Sequence, residues 1–129
     1  MWTFSQSSLS KLETCDPRLQ EIMFEVIQIM DIKILEGHRN KERQNQLFHE
    51  EKTKLQYPDS KHNSLASKAI DVAPCPLDWS NRERFGYMAG IIMGVAHSLG
   101  HEIRWGGDWD RDNDLYDQTF NDLPHFEIL

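Results

Sequence analysis

His62, Asp71 and His125 are the residues whose types and surroundings could do chemistry together. Asp71 sits in Ala69-Ile70-Asp71-Val72-Ala73, a short segment whose other members favour burial. A carboxylate buried there without a partner costs several kcal/mol or takes up a proton. A metal ion shared with His62, nine residues upstream, removes that cost. His125, in Asp122-Leu123-Pro124-His125-Phe126-Glu127-Ile128, offers a further ligand in a second apolar setting. Two histidines and one aspartate match the ligand count of an open zinc site, whose fourth position holds a water with its pKa lowered to about 7.

A hydrolase built on such a site also needs a carboxylate to take a proton from water and return it to the leaving amine. Asp122, three residues before His125, and Glu127, two residues after it, both qualify. In a regular strand Glu127 shares the face of His125, whereas Asp122 must reach in from the loop end. The residues alone leave both open. Arg39 is the best cation for a developing oxyanion or a substrate carboxylate, because a guanidinium fork matches those groups. Its competing role is a surface salt bridge to Glu36 or Glu42.

The elements that must position these groups follow from pattern. Residues 7–12 suit one or two helical turns, and Asp16-Pro17 reads as an N-cap with proline at the first helical position. Leu19, Ile22, Met23, Val26, Ile27 and Met30 then recur at helical spacing. The alternation of residues 31–36 predicts a strand ended by Gly37. A polar helix is expected from near Asn40, and a polar loop over residues 49–61 delivers the chain to His62. Residues 82–99 predict the longest helix, capped by Gly100 and lined on one face by Phe85, Met88, Ile92, Val95 and Leu99. Gly86, Gly90 and Gly94 form a smooth strip there, for which close packing on a sheet is the expected use. Residues 101–105 read as a strand, Gly106-Gly107 as a turn, 108–121 as an acidic loop and 123–128 as a terminal strand. Strands and helices without a regular βαβ rhythm or a glycine-rich phosphate loop indicate an α+β domain.

With 129 residues, the chain is expected to be one domain, residues 1–15 being a lead that is flexible or briefly helical. The net charge of −7 and the scattered basic residues argue against a nucleic-acid partner. The first residues lack a basic stretch followed by an apolar run, so synthesis in a cytoplasm without a signal peptide is expected. The longest apolar-rich window, residues 88–99, falls short of the ~20 residues a membrane span needs. Cys15 and Cys75 are too few for a disulfide framework and read as free thiols. Carboxylates alternate from Asp108 to Asp117 like the start of a calcium loop, but the glycine at the sixth position and the closing glutamate are missing. A solvated acidic loop is the competing reading.

Four ordered motifs carry a family resemblance over residues 17–127: Glu36-Gly37-His38-Arg39 with Gln44, Ser60-x-His62 leading to Ala69-x-Asp71, Trp105-Gly106-Gly107-Asp108-Trp109, and Asp122-Leu123-Pro124-His125-Phe126-Glu127. Together they resemble the zinc peptidases that include D-alanyl-D-alanine carboxypeptidases and dipeptidases and the phage L-alanyl-D-glutamate endolysins. The resemblance implies a small α+β domain with an antiparallel sheet packed against helices, the zinc fold shared with hedgehog signalling domains. It implies zinc on His62, Asp71 and His125, Asp122 rather than Glu127 as general base, Arg39 on the polarised carbonyl, and Ser60 as a substrate contact. It also implies a monomeric phage or prophage endolysin that hydrolyses a peptidoglycan stem peptide, at the L-alanyl-D-glutamate bond, after release to the cell wall. The alternatives are a D-alanyl-D-alanine peptidase and a non-catalytic, zinc-stabilised binding domain. Two departures stand out: the step from His62 to Asp71 is longer than in many members, and the base is Asp where Glu is commoner. With so long a step, residues 63–68 must bulge aside if His62 and Asp71 are to face one ion.

Overall fold

Apolar residues at strand and helix period build one core, and it leaves one face of a small sheet for chemistry. The computed structural model describes residues 1–113 and 122–129. Their elements run α1 (Gln6–Leu12), α2 (Pro17–Val26), β1 (Ile32–Glu36), α3 (Lys41–His49), a 3-10 turn at Lys61–Asn63, β2 (Ala69–Pro74), α4 (Arg82–Ser98), β3 (Ile103–Trp105) and β4 (His125–Ile128). The helix starts follow the polar caps in the sequence. Asp16 accepts from the Arg18 amide, Asn40 from that of Arg43 and Asn81 from that of Arg84, each cap being worth ~1 kcal/mol. Gly100 ends α4 in the left-handed region at φ +80°.

The four strands form an antiparallel sheet in the order β1-β2-β4-β3. This is the α+β architecture with an antiparallel sheet that the resemblance implied. Helix α4 packs on β2, β3 and α2, while α1 packs on β1. Alternation along the strands decides what goes where. Ile70, Val72, Phe126 and Ile128 join Ile22, Met23, Phe85 and Ile92 in the core, each contributing ~1.5–3 kcal/mol by leaving water. Asp71, His125 and Glu127 therefore fall on the opposite face, and the register sets Asp71 directly across from His125.

The glycine strip of α4 does not do what the sequence suggested. The buried stripe is Phe85, Met88, Ala89, Ile92 and Ala96, and Val95 and Leu99 are only partly buried beside it. A side chain added at Gly86, Gly90 or Gly94 would meet nothing within 4 Å. They lie beside the buried stripe rather than on it, Gly86 and Gly90 facing an open hollow shared with Trp105 and Asp108, so they serve no close packing there. Helix α3 is less exposed than its polarity predicts, because Gln44 and Leu47 are buried. Helix α2 stops at Val26, and Ile27 caps it before the turn that contains Met30. No helix among the described residues is long and apolar enough to cross a membrane.

Candidate metal and catalytic site

Each member of the predicted triad is delivered by a different piece of local chemistry. The Ser60 hydroxyl accepts from the His62 amide at 3.1 Å, and the Asn63 side chain accepts from the Ser60 amide at 3.0 Å, forming a capping box around the 3-10 turn. His62 is thereby held in a fixed turn, tied further by the Arg39 amide donating to its carbonyl at 2.8 Å. Residues 63–68 do bulge outward: Leu65 is exposed, and the Lys68 amide closes the loop on the Lys61 carbonyl at 3.0 Å. The chain then enters β2 with Asp71 beside His62. Pairing of β2 with β4 brings in His125.

The three side chains converge. His62 Nε2 and His125 Nδ1 each lie 3.3 Å from Asp71 Oδ1, and one ligand atom from each of the three residues falls within 4.8 Å of the others. All three residues are buried. His62 Nε2 and Asp71 Oδ1 are buried without a hydrogen-bond partner, a costly state for polar atoms that nothing among the described residues relieves. Tetrahedral zinc with bonds of ~2.0–2.1 Å would set its ligand atoms about 3.3–3.4 Å apart. The separations from Asp71 agree with that, so the donor set fits zinc. The ring nitrogens facing away are engaged as well. His62 Nδ1 donates to the Gly37 carbonyl at 2.7 Å, and His125 Nε2 donates to Glu127 Oε1 at 2.8 Å.

Two glycines in the motifs explain how neighbouring groups reach this cluster. A Cβ on Gly37 would lie 2.4 Å from Thr14 Oγ1, so only glycine lets the β1 end sit close enough to α1 to aim its carbonyl at His62. A Cβ on Gly106 would lie 2.1 Å from the Asp122 carbonyl oxygen. The Asp122 amide donates to the Gly106 carbonyl at 2.9 Å, and the Gly106 amide donates to the His125 carbonyl at 2.8 Å. Trp105-Gly106-Gly107 is thus the brace that fixes Asp122, whose Oδ2 lies 3.9 Å from His125 Nδ1.

Beyond shape, sequence similarity places the chain. The model of the phage L-alanyl-D-glutamate peptidase family matches residues 1–129. The chain belongs to that family. It is 28% identical to the L-alanyl-D-glutamate peptidase of Escherichia phage T5 over 134 aligned residues, covering 98% of this chain and 97% of the relative. Its fold is similar to that of the Serratia marcescens L-Ala D-Glu endopeptidase ChiX, with a TM-score of 0.76 at 21% identity over 98% of this chain and 90% of that one. As a family member the chain is a peptidoglycan peptidase.

The electrostatics of the peptidase cluster are set by its burial and its close charges. For Asp71, burial opposes ionisation, but the two histidines outweigh it and hold the carboxyl well below its ordinary range. For His125, burial opposes the charge, yet the Asp71 and Glu127 carboxylates close to its ring push it up to about 9. Asp122 is shifted the other way from Asp71: burial and the nearby Asp71 charge raise it above an ordinary aspartate. A carboxylate with a raised pKa beside a water site is suited to accept and return a proton.

Arg39 lines the same cleft, and its guanidinium is engaged on three sides. Nε lies 2.9 Å from Glu36 Oε2, Nη2 donates to Asp71 Oδ2 at 3.2 Å, and Nη1 donates to Gln44 Oε1 at 3.3 Å. The salt bridge to Glu36 expected of a surface arginine is present, but Arg39 also grips Oδ2 of Asp71, the oxygen turned away from the two histidines. Buried Gln44, which the sequence offered within the first motif but without a role, is a hub: its amide donates to the Leu55 carbonyl at 2.7 Å, and its oxygen accepts from Asn63 at 3.2 Å. It ties α3, the long loop and the His62 turn together. The motif marked the residue, but its role emerges only once the fold brings its partners in from other elements.

The cleft above the cluster has a volume of about 260 Å³. Arg39, Lys52, Lys54 and Lys61 give it basic edges, and Trp109 forms a wall, its ring 5.4 Å from that of His125. A hollow of about 370 Å³ between α4 and the loop after β3 is larger. It contains none of the orphaned triad atoms, so size does not locate the chemistry. Asp108, Asp110 and Asp112 form a second group with oxygens within 4.8 Å of one another, at half-buried to exposed positions. The rest of the expected calcium loop, residues 114–117, lies outside the described residues. Cys15 is a free thiol pushed up to about 12 by burial, and Cys75 is also free.

Proposed function

We propose that this chain is a zinc-dependent endolysin that hydrolyses the L-alanyl-D-glutamate bond of the peptidoglycan stem peptide. The observation that carries the zinc reading is the buried cluster in which Asp71 Oδ1 stands 3.3 Å from a ring nitrogen of each histidine while it and His62 Nε2 lack partners. His62, Asp71 and His125 would hold the ion. When bound, zinc would supply Lewis-acid polarisation and acidify water to a pKa of about 7.

The chain's own residues account for the rest of the reaction. Asp122 accepts the proton of the attacking water as the new C–O bond forms. It returns that proton to the amide nitrogen as the C–N bond breaks, leaving a carboxylate and an amine. Arg39 enters the cleft from the Asp71 side, where it holds that ligand and offers positive charge to the developing oxyanion. Trp109 and the cleft wall limit access of bulk water. Ser60, whose hydroxyl caps the His62 turn, also lines the cleft and serves as a substrate contact. The basic edges suit a stem peptide, whose D-glutamate carries a free carboxylate. The specificity for this bond is supported by family membership.

The test is mass spectrometry of muropeptides digested with and without a zinc chelator. New L-alanine and D-glutamate termini that vanish on chelation and return with zinc are expected. Cleavage that survives complete zinc removal defeats the zinc mechanism, and termini at a D-alanyl-D-alanine bond favour the rival peptidase. Asp108, Asp110 and Asp112 support a subsidiary proposal of calcium binding. Calorimetric titration checks it, and no heat at millimolar calcium overturns it.

A further inference from the structure

The two histidines of the cluster present opposite nitrogens, and the group behind each ring dictates which. His62 turns Nε2 inward because Nδ1 donates to the Gly37 peptide carbonyl. His125 turns Nδ1 inward, toward Asp71 and Asp122, because Nε2 meets Glu127 Oε1 at 2.8 Å. A carboxylate can only accept at that contact, so the proton sits on Nε2 and the lone pair is left on Nδ1 once the ring is neutral. Glu127 is itself buried. Its second oxygen, Oε2, lies 3.2 Å from Lys61 Nζ and 3.4 Å from Arg104 Nη2. Lys61 is anchored in turn to the Ile128 carbonyl, and Arg104 donates to the Trp109 carbonyl at 3.2 Å.

From this geometry we infer that Glu127 is the positioning residue that fixes the metal-binding nitrogen of His125, with Lys61 and Arg104 holding its carboxylate in place. The inference rests on the zinc reading above and deepens it. Both oxygens of Glu127 are committed behind the imidazole, on the side away from Asp71. Although Glu127 lines the cleft, these partners hold it in place behind the ring, which favours Asp122 for collecting a proton from water at the cluster. The arrangement requires an acceptor on each side of residue 127, one for the imidazole N–H and one for the two cations. A carboxylate meets both demands. A glutamine of the same shape cannot: with its oxygen on Lys61 and Arg104, its amide donor faces Nε2 and favours the tautomer that protonates Nδ1.

Glu127→Gln therefore separates positioning from packing, since it keeps the volume while changing the hydrogen-bond sense and removing the charge that Lys61 and Arg104 hold. Zinc affinity measured by competition with a chromogenic chelator is expected to fall roughly 10- to 100-fold, the usual cost of losing a partner behind a metal-bound histidine. Circular dichroism of the variant reports folding separately. Affinity within twofold of the unsubstituted protein overturns the inference. Long-range proton–nitrogen NMR on the zinc-loaded, unsubstituted protein provides a readout that needs no variant. A His125 proton on Nε2 is expected, and a proton on Nδ1 overturns the assignment. If the unsubstituted protein binds no zinc, the zinc reading falls and takes this inference with it. If it binds zinc and Glu127→Gln binds equally well, only the inference falls.

Discussion

Two clusters in this protein bring three potential ligands within 4.8 Å: His62, Asp71 and His125 on the sheet, and Asp108, Asp110 and Asp112 in the loop after β3. In the first, every residue is buried, two facing atoms lack partners, and the backs of both imidazoles are secured. In the second, Asp110 and Asp112 are exposed, and Asp108 Oδ2 accepts from the Asn113 amide at 3.0 Å. Water can satisfy the exposed Asp110 and Asp112 carboxylates, whose repulsion is screened, although Asp108 Oδ1 is also buried without a hydrogen-bond partner. No described residue hydrogen-bonds the two facing atoms of the sheet cluster, and one shared cation would satisfy both. Ligand count is therefore a poor guide to a metal site, and the state of the atoms when no metal is counted is a better one.

The most severe way to break the contrast is Asp71→Asn. It keeps the volume but removes the shared anionic ligand, and zinc content measured by atomic absorption should drop to background. Turnover should fall with it by on the order of 10³-fold or more, the several kcal/mol that a bound Lewis acid supplies. Asp122→Ala should instead leave zinc content near that of the unsubstituted protein while cutting kcat by about 10²- to 10⁴-fold, as expected for loss of a general base. Loss of zinc in that variant would make Asp122 a ligand.

Proton linkage gives a subtler difference between the clusters. The raised pKa of His125 means that the metal-free fold holds an imidazolium there up to about pH 9. Its contribution to stability is full below the unfolded histidine pKa of ~6.5 and is lost as pH rises through about 9. Zinc must displace that proton. Calorimetry at neutral pH in buffers of different ionisation enthalpy should report release of about one proton from this site, and zinc affinity should climb with pH until about 9. Independence from pH over that window would remove the coupling. The smallest effect is expected at the loop: Asp110→Asn should change zinc affinity by less than about twofold, since a charge at an exposed position is heavily screened.

Local chemistry was legible in the sequence wherever a residue acts on its neighbours in the chain. Asp16-Pro17, Asn40 and Asn81 mark helix starts, and the apolar setting of Asp71 marks it as a group in need of a partner. The convergence of His62, Asp71 and His125 was readable because apolar context and ordered motifs agreed. Strand alternation also put Glu127 on the face of His125. What it could not supply was direction: whether that carboxylate points at the metal position or behind the ring depends on Lys61 and Arg104, which come from other elements. The grip of Arg39 on Asp71 is equally non-local. The glycines of α4 misled for a different reason, since periodicity shows that they share a side but not which side faces the sheet.

The order of the sheet has one more consequence. Strand β4 comes last in sequence, yet it lies inside the sheet, between β2 and β3. Without residues 125–128 in that place, His125 would be missing from the cluster and the brace between Gly106 and His125 would be absent. A chain in which β4 is unpaired therefore lacks both one of the three clustered side chains and the tie that fixes Asp122 beside them.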